Sequence, residues 1–326
     1  MMKPYVYITR KLPEETITEL VQHFDVKMWD YEDVAVPREV LLEEAKRASA
    51  LITMLSDQVN EELLSAGENL KVVANLAVGF DNIDVKAATS RGIIVSNTPD
   101  VLTETTADLT FVLLMATARR NVEAAEYVKA GKWEGWSPYL LAGHDIHSKT
   151  IGIVGMGKIG EAVARRAKGF GMNILYHNRS RKGKAESEIG AQYSSFEELV
   201  AQSDYVVSLA PLTPETRNLF TADVFSKMKK SAIFINAGRG PVVDEQALYE
   251  ALKNGEIAAA GLDVFEKEPI AADHQLLQLP NVTALPHIGS ASTETRTTMI
   301  KLCSSNVKAV LTGDRPKTIV NKELVQ

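Results

Sequence analysis

Three ionisable residues lie at or just beyond the ends of short apolar runs in the second half of the sequence: Arg239, Glu268 and His287. The runs are AIFINA (232–237), AAGLDV (259–264) and VTALPH (282–287). If the runs are parallel strands, their carboxyl ends meet at the sheet edge where such sheets bind ligands. A guanidinium can bind a carboxylate through two parallel hydrogen bonds, and an imidazole exchanges a proton near neutral pH. An Arg, a Glu and a His at that edge could therefore divide the work of reducing a carbonyl group.

The segment TIGIVGMGKIGEAVARRA (150–167) predicts a strand, a tight glycine-rich turn and an amphipathic helix. Gly155 permits the sharp turn, Gly157 lets the backbone approach a pyrophosphate, and Gly160 lets the helix lie close to the sheet. The N-terminus of that helix offers N–H groups and partial positive charge to the anion. In this context the pattern favours a dinucleotide site over a plain glycine-rich turn. The residues expected to contact the cofactor are Gly155, Met156, Gly157, Lys158, Ile159 and Gly160.

The end of the next predicted strand, in YHNRSRKGK (176–184), bears on which dinucleotide binds. An NAD site usually carries Asp or Glu about 20 residues after the glycines, bonded to the ribose 2′-hydroxyl. Here Asn178 stands in that position and is followed by Arg179 and Ser180. Because a 2′-phosphate needs donors and positive charge, the pattern favours NADP(H), with NAD(H) as the alternative. A solvated basic turn that merely lacks the acid is the other interpretation.

The elements that must position these groups form two series of alternating strands and helices, which indicates parallel sheets covered by helices. In the first series, strands are predicted at 5–9, 50–55, 70–77 and 92–98, and helices at 13–24 and 37–48. In the second, strands are predicted at 150–155, 173–178, 204–210, 232–237, 259–264 and 282–287, and a helix at 292–312. Between them, 103–131 predicts one long helix that begins at Thr103 and is capped by Gly131. Periodicity alone does not assign the final helix to either series.

Composition narrows the functional class. The chain has 326 residues, a net charge of −6 and one cysteine, Cys303. The negative charge argues against nucleic-acid binding, and the lone cysteine favours a reducing compartment, so we expect a cytoplasmic protein. The longest uncharged apolar run, 109–118, is shorter than a membrane span, and the N-terminus reads as a first strand rather than a signal peptide. No spacing typical of a metal site is present, so we expect no metal.

Seven motifs together carry a resemblance to a known family. They are LAVGFDNIDVKAATSRGIIVSNTP (76–99), TADLTFVLLMATAR (106–119), GIVGMGKIG (152–160), PLTPETRNLF (211–220), INAGRGPVVDEQAL (235–248), GLDVFEKEP (261–269) and LPHIGSAS (285–292). The chain resembles the D-isomer-specific 2-hydroxyacid dehydrogenases over nearly its whole length. Within that family it is most similar to the bacterial glyoxylate/hydroxypyruvate reductases that also reduce 2-ketogluconate.

The resemblance implies an α/β fold of two doubly wound parallel-sheet domains. A Rossmann cofactor domain, 103–290, is expected to be inserted into a flavodoxin-like substrate-binding domain, 1–102 with 291–326. It also implies a homodimer in which the segment 104–150 forms much of the interface. The implied partners are a small 2-oxo acid and a nicotinamide cofactor, with no nucleic acid and no membrane.

The resemblance further implies a role for each candidate site residue. Arg239 is expected to bind the substrate carboxylate, His287 to give a proton to the carbonyl oxygen, and Glu268 to hydrogen-bond the other imidazole nitrogen. Backbone N–H groups of Val78 and Gly79 are expected to meet the substrate carboxylate. The remaining implied cofactor contacts are Asp263, on the nicotinamide carboxamide, and Thr106, Pro211 and Ala237.

Two alternatives to an NADPH-linked reductase of glyoxylate, hydroxypyruvate or 2-ketogluconate stay open. An NAD-linked D-lactate dehydrogenase of the same family would be expected to carry an acid where Asn178 stands. Some transcriptional corepressors share the fold and bind dinucleotide as sensors, and they can retain a similar set of three residues. Turnover of a 2-oxo acid would separate an enzyme from such a sensor.

Overall fold

Alternating strands and helices form two separate parallel sheets in the computed structural model, which describes residues 3–325. The chain divides into two compact units, each of which contains one sheet. One unit, here called the split unit, comprises the residues up to Leu102 and those from Ala291 onward. The other, the inserted unit, is Thr103–Ser290. The predicted α/β class with two doubly wound parallel sheets is confirmed.

The sheet of the split unit contains five strands: β1 (Tyr5–Ile8), β2 (Asp25–Met28), β3 (Ala50–Thr53), β4 (Val72–Asn75) and β5 (Ile94–Ser96). Their order, β2-β1-β3-β4-β5, is that of flavodoxin-like folds, as predicted. The helices between them are α1 (Thr18–His23), α2 (Arg38–Arg47), α3 (Glu61–Ala66) and α4 (Val85–Ser90), with a 3-10 turn at Glu14–Thr16. Strands β1, β3 and β4 are buried on both faces, which is why their sequences read as continuous apolar runs.

The inserted unit opens with two helices, α5 (Thr103–Ala118) and α6 (Asn121–Lys129). Its seven strands are β6 (Thr150–Val154), β7 (Asn173–His177), β8 (Gln192–Tyr193), β9 (Tyr205–Ser208), β10 (Ile233–Asn236), β11 (Ala259–Leu262) and β12 (Val282–Ala284). The further helices are α7 (Lys158–Gly169), α8 (Gly183–Ile189), α9 (Phe196–Gln202), α10 (Ala222–Lys227) and α11 (Glu245–Lys253), with 3-10 turns at Gly240–Val242 and Gln275–Gln278. The strands lie in the order β8-β7-β6-β9-β10-β11-β12. From β6 the chain adds strands outward on one side, through β7 to β8, and then on the other side, from β9 to β12. Such sheets bind ligands at this switch point between β6 and β9.

The last helix, α12 (Thr293–Thr312), belongs to the split unit, where it packs on β3, β4 and β5. Its residue Cys303 is fully buried, and the Cys303 Sγ lies 3.5 Å from the Asn75 carbonyl oxygen. A final 3-10 turn spans Lys322–Val325. Tertiary packing thus settles the assignment of this helix, which periodicity left open.

One prediction is wrong: 103–131 is not a single helix. Arg120 adopts a left-handed conformation with φ +52°, and this ends α5 before α6 begins at Asn121. The Arg120 guanidinium bonds both carboxylate oxygens of Glu123 at 2.8 Å, which stabilises the break. The helix predicted at 13–24 is also shorter than expected. The edge strands β2 and β8 were not predicted, because neither contains an apolar run.

Within residues 3–325, no helix combines the length and apolar character required to traverse a bilayer. The same residues contain no group of three or more His, Cys, Asp or Glu side chains arranged to bind a metal.

Candidate active site

His287 and Glu268 form a hydrogen-bonded pair beyond the ends of two adjacent strands. The distance from His287 Nδ1 to Glu268 Oε2 is 2.7 Å. Glu268 follows β11 and His287 follows β12, which pair in parallel, so both residues lie at the carboxyl edge of the sheet. A carboxylate accepts but cannot donate, so Nδ1 carries the proton in this bond. The other nitrogen, Nε2, is therefore the one available for proton exchange.

The second carboxylate oxygen of Glu268 is also held by the protein. The Phe265 backbone N–H donates to Glu268 Oε1 at 3.0 Å. Burial alone would raise the pKa of Glu268. The hydrogen bond from His287, the imidazolium charge, the Phe265 N–H and the charge of Arg239 outweigh burial, so the pKa of Glu268 lies below its ordinary value. Glu268 is thus held as a carboxylate, the form that orients an imidazole.

Asp263 is a second carboxylate next to this pair. It follows β11, is 1% exposed, and accepts the Ile288 N–H through Oδ1 at 2.8 Å. Burial, with a contribution from Glu268, raises the pKa of Asp263; the N–H groups of Ile288 and Gly289 and the charge of His287 oppose that rise. The bond to Ile288 fixes the segment directly after His287.

Arg239 lies on a turn after β10 that is built around Asn236. Asn236 Oδ1 accepts the Gly238 N–H, and its Nδ2 donates to the Arg239 carbonyl, both at 3.1 Å. The Arg239 guanidinium is half-buried and donates to the Gly238 carbonyl at 2.9 Å. Strand β10 pairs in parallel with β11, so Arg239 lies beyond the same carboxyl edge as Glu268, and its charge contributes to lowering the pKa of Glu268. The structure thus brings all three predicted residues to one edge of the inserted unit.

Gly240 and Glu245, which the sequence analysis did not select, pack the arginine turn against the Glu268 loop. A Cβ on Gly240 would lie 1.9 Å from the carbonyl carbon and oxygen of Phe265, so only glycine fits. Glu245, in the first turn of α11, accepts the Glu266 N–H at 2.7 Å. Both residues lie in the motif INAGRGPVVDEQAL, from which the sequence analysis selects only Arg239 and Ala237. The contact itself could be found only from the fold.

The glycine-rich turn lies between β6 and α7, at the reversal point of the sheet. Gly155 has φ +102°, and a Cβ there would lie 2.6 Å from the Leu209 carbonyl carbon. A Cβ on Gly160 would lie 2.5 Å from the Gly155 oxygen. A Cβ on Gly157 would meet nothing within 4 Å, and Gly157 is exposed at the N-cap of α7. The turn thus leaves the N-terminus of a 12-residue helix open to an anion, which fits a dinucleotide pyrophosphate.

The other residues of the predicted glycine turn have distinct environments. The side chain of Met156 is completely buried in the core, so only its backbone can face a ligand. Ile159 is half-buried against the same core, and Lys158, the first residue of α7, is exposed.

The predicted residues for cofactor selection follow β7. Asn178 Nδ2 donates to the Ser180 carbonyl at 3.0 Å, which holds the turn, and the side chains of Arg179 and Ser180 are exposed. The neighbouring Arg181 is engaged, since its guanidinium bonds Glu186 at 2.7 and 3.0 Å. Arg179 and Ser180 are therefore better placed than Arg181 to meet a ligand.

The remaining predicted residues are distributed between the two units. Pro211 follows β9 and is exposed, and the Ala237 N–H, after β10, donates to the Ser208 carbonyl at 3.3 Å. Thr106 is buried on α5, and its Cγ2 lies 3.3 Å from the position of a Cβ on Gly289. Val78 and Gly79 lie in the split unit, in the loop after β4, and are half-buried.

The chain is similar to known proteins over nearly its whole length. Residues 111–289 match the family model described as the NAD-binding domain of D-isomer specific 2-hydroxyacid dehydrogenases. The chain is 50% identical to a glyoxylate reductase of Thermococcus kodakarensis over 329 aligned residues, which cover 100% of this chain and 98% of the relative. It is 49% identical to a glyoxylate reductase of Pyrococcus furiosus, with coverage of 100% and 97%.

Solved structures show the same relationship. A protein from Thermus thermophilus superposes with a TM-score of 0.91 at 42% identity, covering 97% of this chain and 99% of that protein. An NADPH-dependent glyoxylate/hydroxypyruvate reductase from Sinorhizobium meliloti, in complex with NADP and malonate, superposes with a TM-score of 0.85 at 35% identity, covering 98% and 97%. The predicted resemblance is confirmed, and so is a nicotinamide dinucleotide as cofactor. The chain belongs to the D-isomer specific 2-hydroxyacid dehydrogenase family and is an NAD(P)-dependent oxidoreductase.

Proposed function

We propose that the protein reduces small 2-oxo acids to D-2-hydroxy acids with NADPH, and that glyoxylate, hydroxypyruvate and 2-ketogluconate are its substrates. The observation that carries the proposal is the 2.7 Å bond between His287 Nδ1 and Glu268 Oε2, in the unit that also holds the glycine-rich turn. That bond leaves one imidazole nitrogen to exchange a proton, as carbonyl reduction requires. The names of the archaeal relatives and of the Sinorhizobium meliloti reductase support the same substrate class.

The chemistry divides between cofactor and protein. A bound, reduced nicotinamide would supply the hydride for the keto carbon. Arg239 binds the substrate carboxylate through its planar guanidinium and helps to polarise the adjacent carbonyl. The backbone N–H groups of Val78 and Gly79, in the split unit, are the further proposed donors to a substrate carboxylate.

His287 is the proton donor in this scheme. Its Nε2 gives a proton to the carbonyl oxygen, and in the oxidative direction the neutral ring takes that proton back. Glu268 keeps the ring in the productive tautomer and orientation, because its lowered pKa preserves the carboxylate throughout.

The residues that hold the dinucleotide follow from the inserted unit. The backbone of Gly157 and the N-terminus of α7 would hold the pyrophosphate of the dinucleotide. Asp263 would accept a hydrogen bond from the nicotinamide carboxamide. The remaining proposed contacts to the dinucleotide are Met156, Lys158, Ile159, Thr106, Pro211 and Ala237. In this assignment the inserted unit is the dinucleotide-binding domain and also carries Arg239 and His287, while Val78 and Gly79 belong to the split, substrate-binding unit.

NADPH is preferred over NADH because of the turn after β7. An acidic residue at position 178 would repel a 2′-phosphate, whereas Asn178 carries no negative charge. Arg179 and Ser180 are exposed there and supply positive charge and a hydroxyl. Arg181 contributes less, because Glu186 already neutralises it.

The protein is further proposed to be a homodimer through the segment 104–150. Several large apolar side chains of this segment face solvent, including Trp136 at 83% and Tyr139 at 87% exposure. Val112, Val122, Val128 and Trp133 are also at least half exposed. An apolar surface of this kind is typical of an interface, and a second copy of the chain would cover it.

A kinetic panel tests the function. It measures kcat/KM for glyoxylate, hydroxypyruvate, 2-ketogluconate and pyruvate, each with NADPH and with NADH. The proposal expects turnover of the first three acids and a preference for NADPH. Activity confined to pyruvate would instead identify a D-lactate type enzyme, and a strong NADH preference would overturn the cofactor assignment. Absence of turnover with every acid would favour a dinucleotide sensor.

A further inference from the structure

We propose that Asn75, Asn82 and Asn97 form an amide clamp that aims the N–H groups of Val78 and Gly79 at the substrate carboxylate. The clamp lies wholly within the split unit and makes the three asparagines positioning residues. The inference rests on the proposed function, because it specifies how that site binds the carboxylate of a 2-oxo acid.

Three consecutive carbonyl groups of the loop after β4 are tied to the ends of β4 and β5. The Ala77 carbonyl accepts the Thr98 N–H at 2.8 Å. The Val78 carbonyl accepts from Asn97 Nδ2, and the Gly79 carbonyl from Asn75 Nδ2, both also at 2.8 Å. Asn97 is 8% exposed and Asn75 is completely buried, so both donors are rigid parts of the unit.

Fixing a carbonyl fixes the N–H group that follows it. A peptide unit is planar, and in the trans form the C=O of one residue points opposite to the N–H of the next. The bond to the Ala77 carbonyl therefore sets the direction of the Val78 N–H, and the bond to the Val78 carbonyl sets that of the Gly79 N–H. Because the donors all lie at the ends of β4 and β5, both N–H groups are held on the opposite side of the loop.

The two N–H groups keep their hydrogen-bonding capacity. Within residues 3–325, neither the Val78 N–H nor the Gly79 N–H donates to a protein acceptor. Adjacent backbone N–H groups held in this way form a concave donor set suited to an anion. A carboxylate, with two oxygens that each accept more than one bond, matches two neighbouring donors.

Asn82 extends the clamp to the loop after β3. Its Nδ2 donates to the carbonyls of Met54 and Asp57, at 3.0 and 2.9 Å. Its Oδ1 accepts from Asn75 Nδ2 at 3.1 Å, and Asn75 Oδ1 in turn accepts from the Thr53 hydroxyl at 3.0 Å. One amide network thus connects the 54–57 loop to the Val78–Gly79 turn, so these two segments cannot move independently.

The expected consequence of breaking the clamp is weaker binding of the acid with the chemical step preserved. Arg239, Glu268 and His287 belong to the other unit and are untouched by the substitution. An interaction made equally in ground state and transition state affects KM and leaves kcat unchanged. The dinucleotide contacts assigned above also lie outside the clamp.

The test compares Asn97→Ala with the unmodified protein and with a matched control. Asn97→Ala is expected to raise the KM for glyoxylate and the Ki of oxalate about tenfold together, which corresponds to about 1.4 kcal/mol. The kcat should stay within about threefold and the Kd for NADPH within about twofold. The control is Asn321→Ala, since Asn321 is also buried in the split unit and donates to the Ile93 carbonyl at 2.9 Å. It should lower Tm without changing KM.

Two further experiments test the clamp even if Asn97→Ala fails to fold: one uses an isosteric variant and the other the unmodified protein. Asn97→Asp keeps the shape but turns a carboxylate towards the Val78 carbonyl, so its KM should exceed that of Asn97→Ala. Amide hydrogen exchange of the unmodified protein should slow at Val78 and Gly79 when oxalate binds with NADPH present.

The outcomes distinguish a failure of the amide clamp from a failure of the proposed function. A folded Asn97→Ala with unchanged KM and Ki, or an equal rise in the Asn321→Ala control, would overturn the clamp while the proposed function stands. Unchanged exchange at Val78 and Gly79 on oxalate binding would do the same. An unmodified protein that reduces none of the acids would remove both proposals.

Discussion

His287 donates through Nδ1 to Glu268 Oε2 at 2.7 Å while its own backbone adopts φ +52°. A left-handed conformation in a residue other than glycine costs about 1–3 kcal/mol and persists where surrounding contacts impose it. Here the contacts on either side are identifiable: Glu268 holds the ring, and Asp263 accepts the N–H of the next residue, Ile288, at 2.8 Å. The orientation of the imidazole is therefore determined by two carboxylates rather than by rotamer preference alone.

Replacing His287 by alanine tests the proton donor. His287→Ala should lower kcat by about 10²–10⁴-fold, because a positioned general acid contributes about that much. The Kd for NADPH, measured by fluorescence, should change by less than about twofold, since the glycine turn is unaltered. The exposed His23 on α1 supplies the control, and His23→Ala should retain full activity. Near-normal turnover of His287→Ala would exclude the residue as the acid.

The lowered pKa of Glu268 predicts how the stability of the protein depends on pH. Because its pKa is lower in the folded protein than the ordinary value of about 4.3, the folded state binds fewer protons there than the unfolded state. The stabilising contribution is thus present above that ordinary value and is lost as pH falls through the folded pKa. The Tm of the unmodified protein should exceed that of Glu268→Gln near neutral pH, and the difference should shrink towards zero in acid. A difference that stays constant down to acid pH would contradict this linkage.

The same variant should impair catalysis at neutral pH. A Gln side chain can offer an N–H where the imidazole needs an acceptor, which favours the wrong tautomer. We expect kcat for glyoxylate to fall about 10²-fold in Glu268→Gln, with little change in KM.

The sequence predicted the features that depend on local pattern. Apolar runs such as TIGIV and AIFINA indicated parallel strands, because strands buried on both faces lack polar alternation. The turn at Gly155 was predicted from its strand–turn–helix context, and its φ of +102° is one that other residues rarely adopt. The location of Glu268 and His287 beyond neighbouring strands follows from the same topology.

Features that depend on tertiary contact could not be predicted. The break at Arg120 interrupts an otherwise helical pattern, and only the structure reveals the paired Glu123. The need for glycine at position 240 arises from the Phe265 carbonyl, 25 residues away along the chain, and the amide clamp joins separate loops. Such contacts leave no periodic signal, because each involves one residue at one place in the fold.

Two glycines of the turn should have different roles: Gly160 is needed for folding and Gly157 for binding the dinucleotide. Gly160→Ala would place a Cβ 2.5 Å from the Gly155 oxygen, so it should lower Tm. Gly157→Ala meets nothing within 4 Å and should keep the unmodified Tm, while the Kd for NADPH rises at least about tenfold as the methyl group obstructs the pyrophosphate. Thermal melts and NADPH titration of both variants check this. A Gly157→Ala protein that binds NADPH normally would show that the turn does not hold the pyrophosphate.

The cofactor preference should reverse when charge is changed after β7. Asn178→Asp places a carboxylate where NAD-binding relatives of this fold bond the ribose 2′-hydroxyl, so kcat/KM with NADPH should fall at least about tenfold while that with NADH rises. Arg179→Ala should lower kcat/KM with NADPH alone, because only the 2′-phosphate needs the guanidinium. Arg181→Ala is the matched control, since Glu186 already binds that guanidinium at 2.7 Å, and it should change neither value by more than about twofold. Equal losses in the two arginine variants would mean that general positive charge, rather than Arg179, selects NADPH.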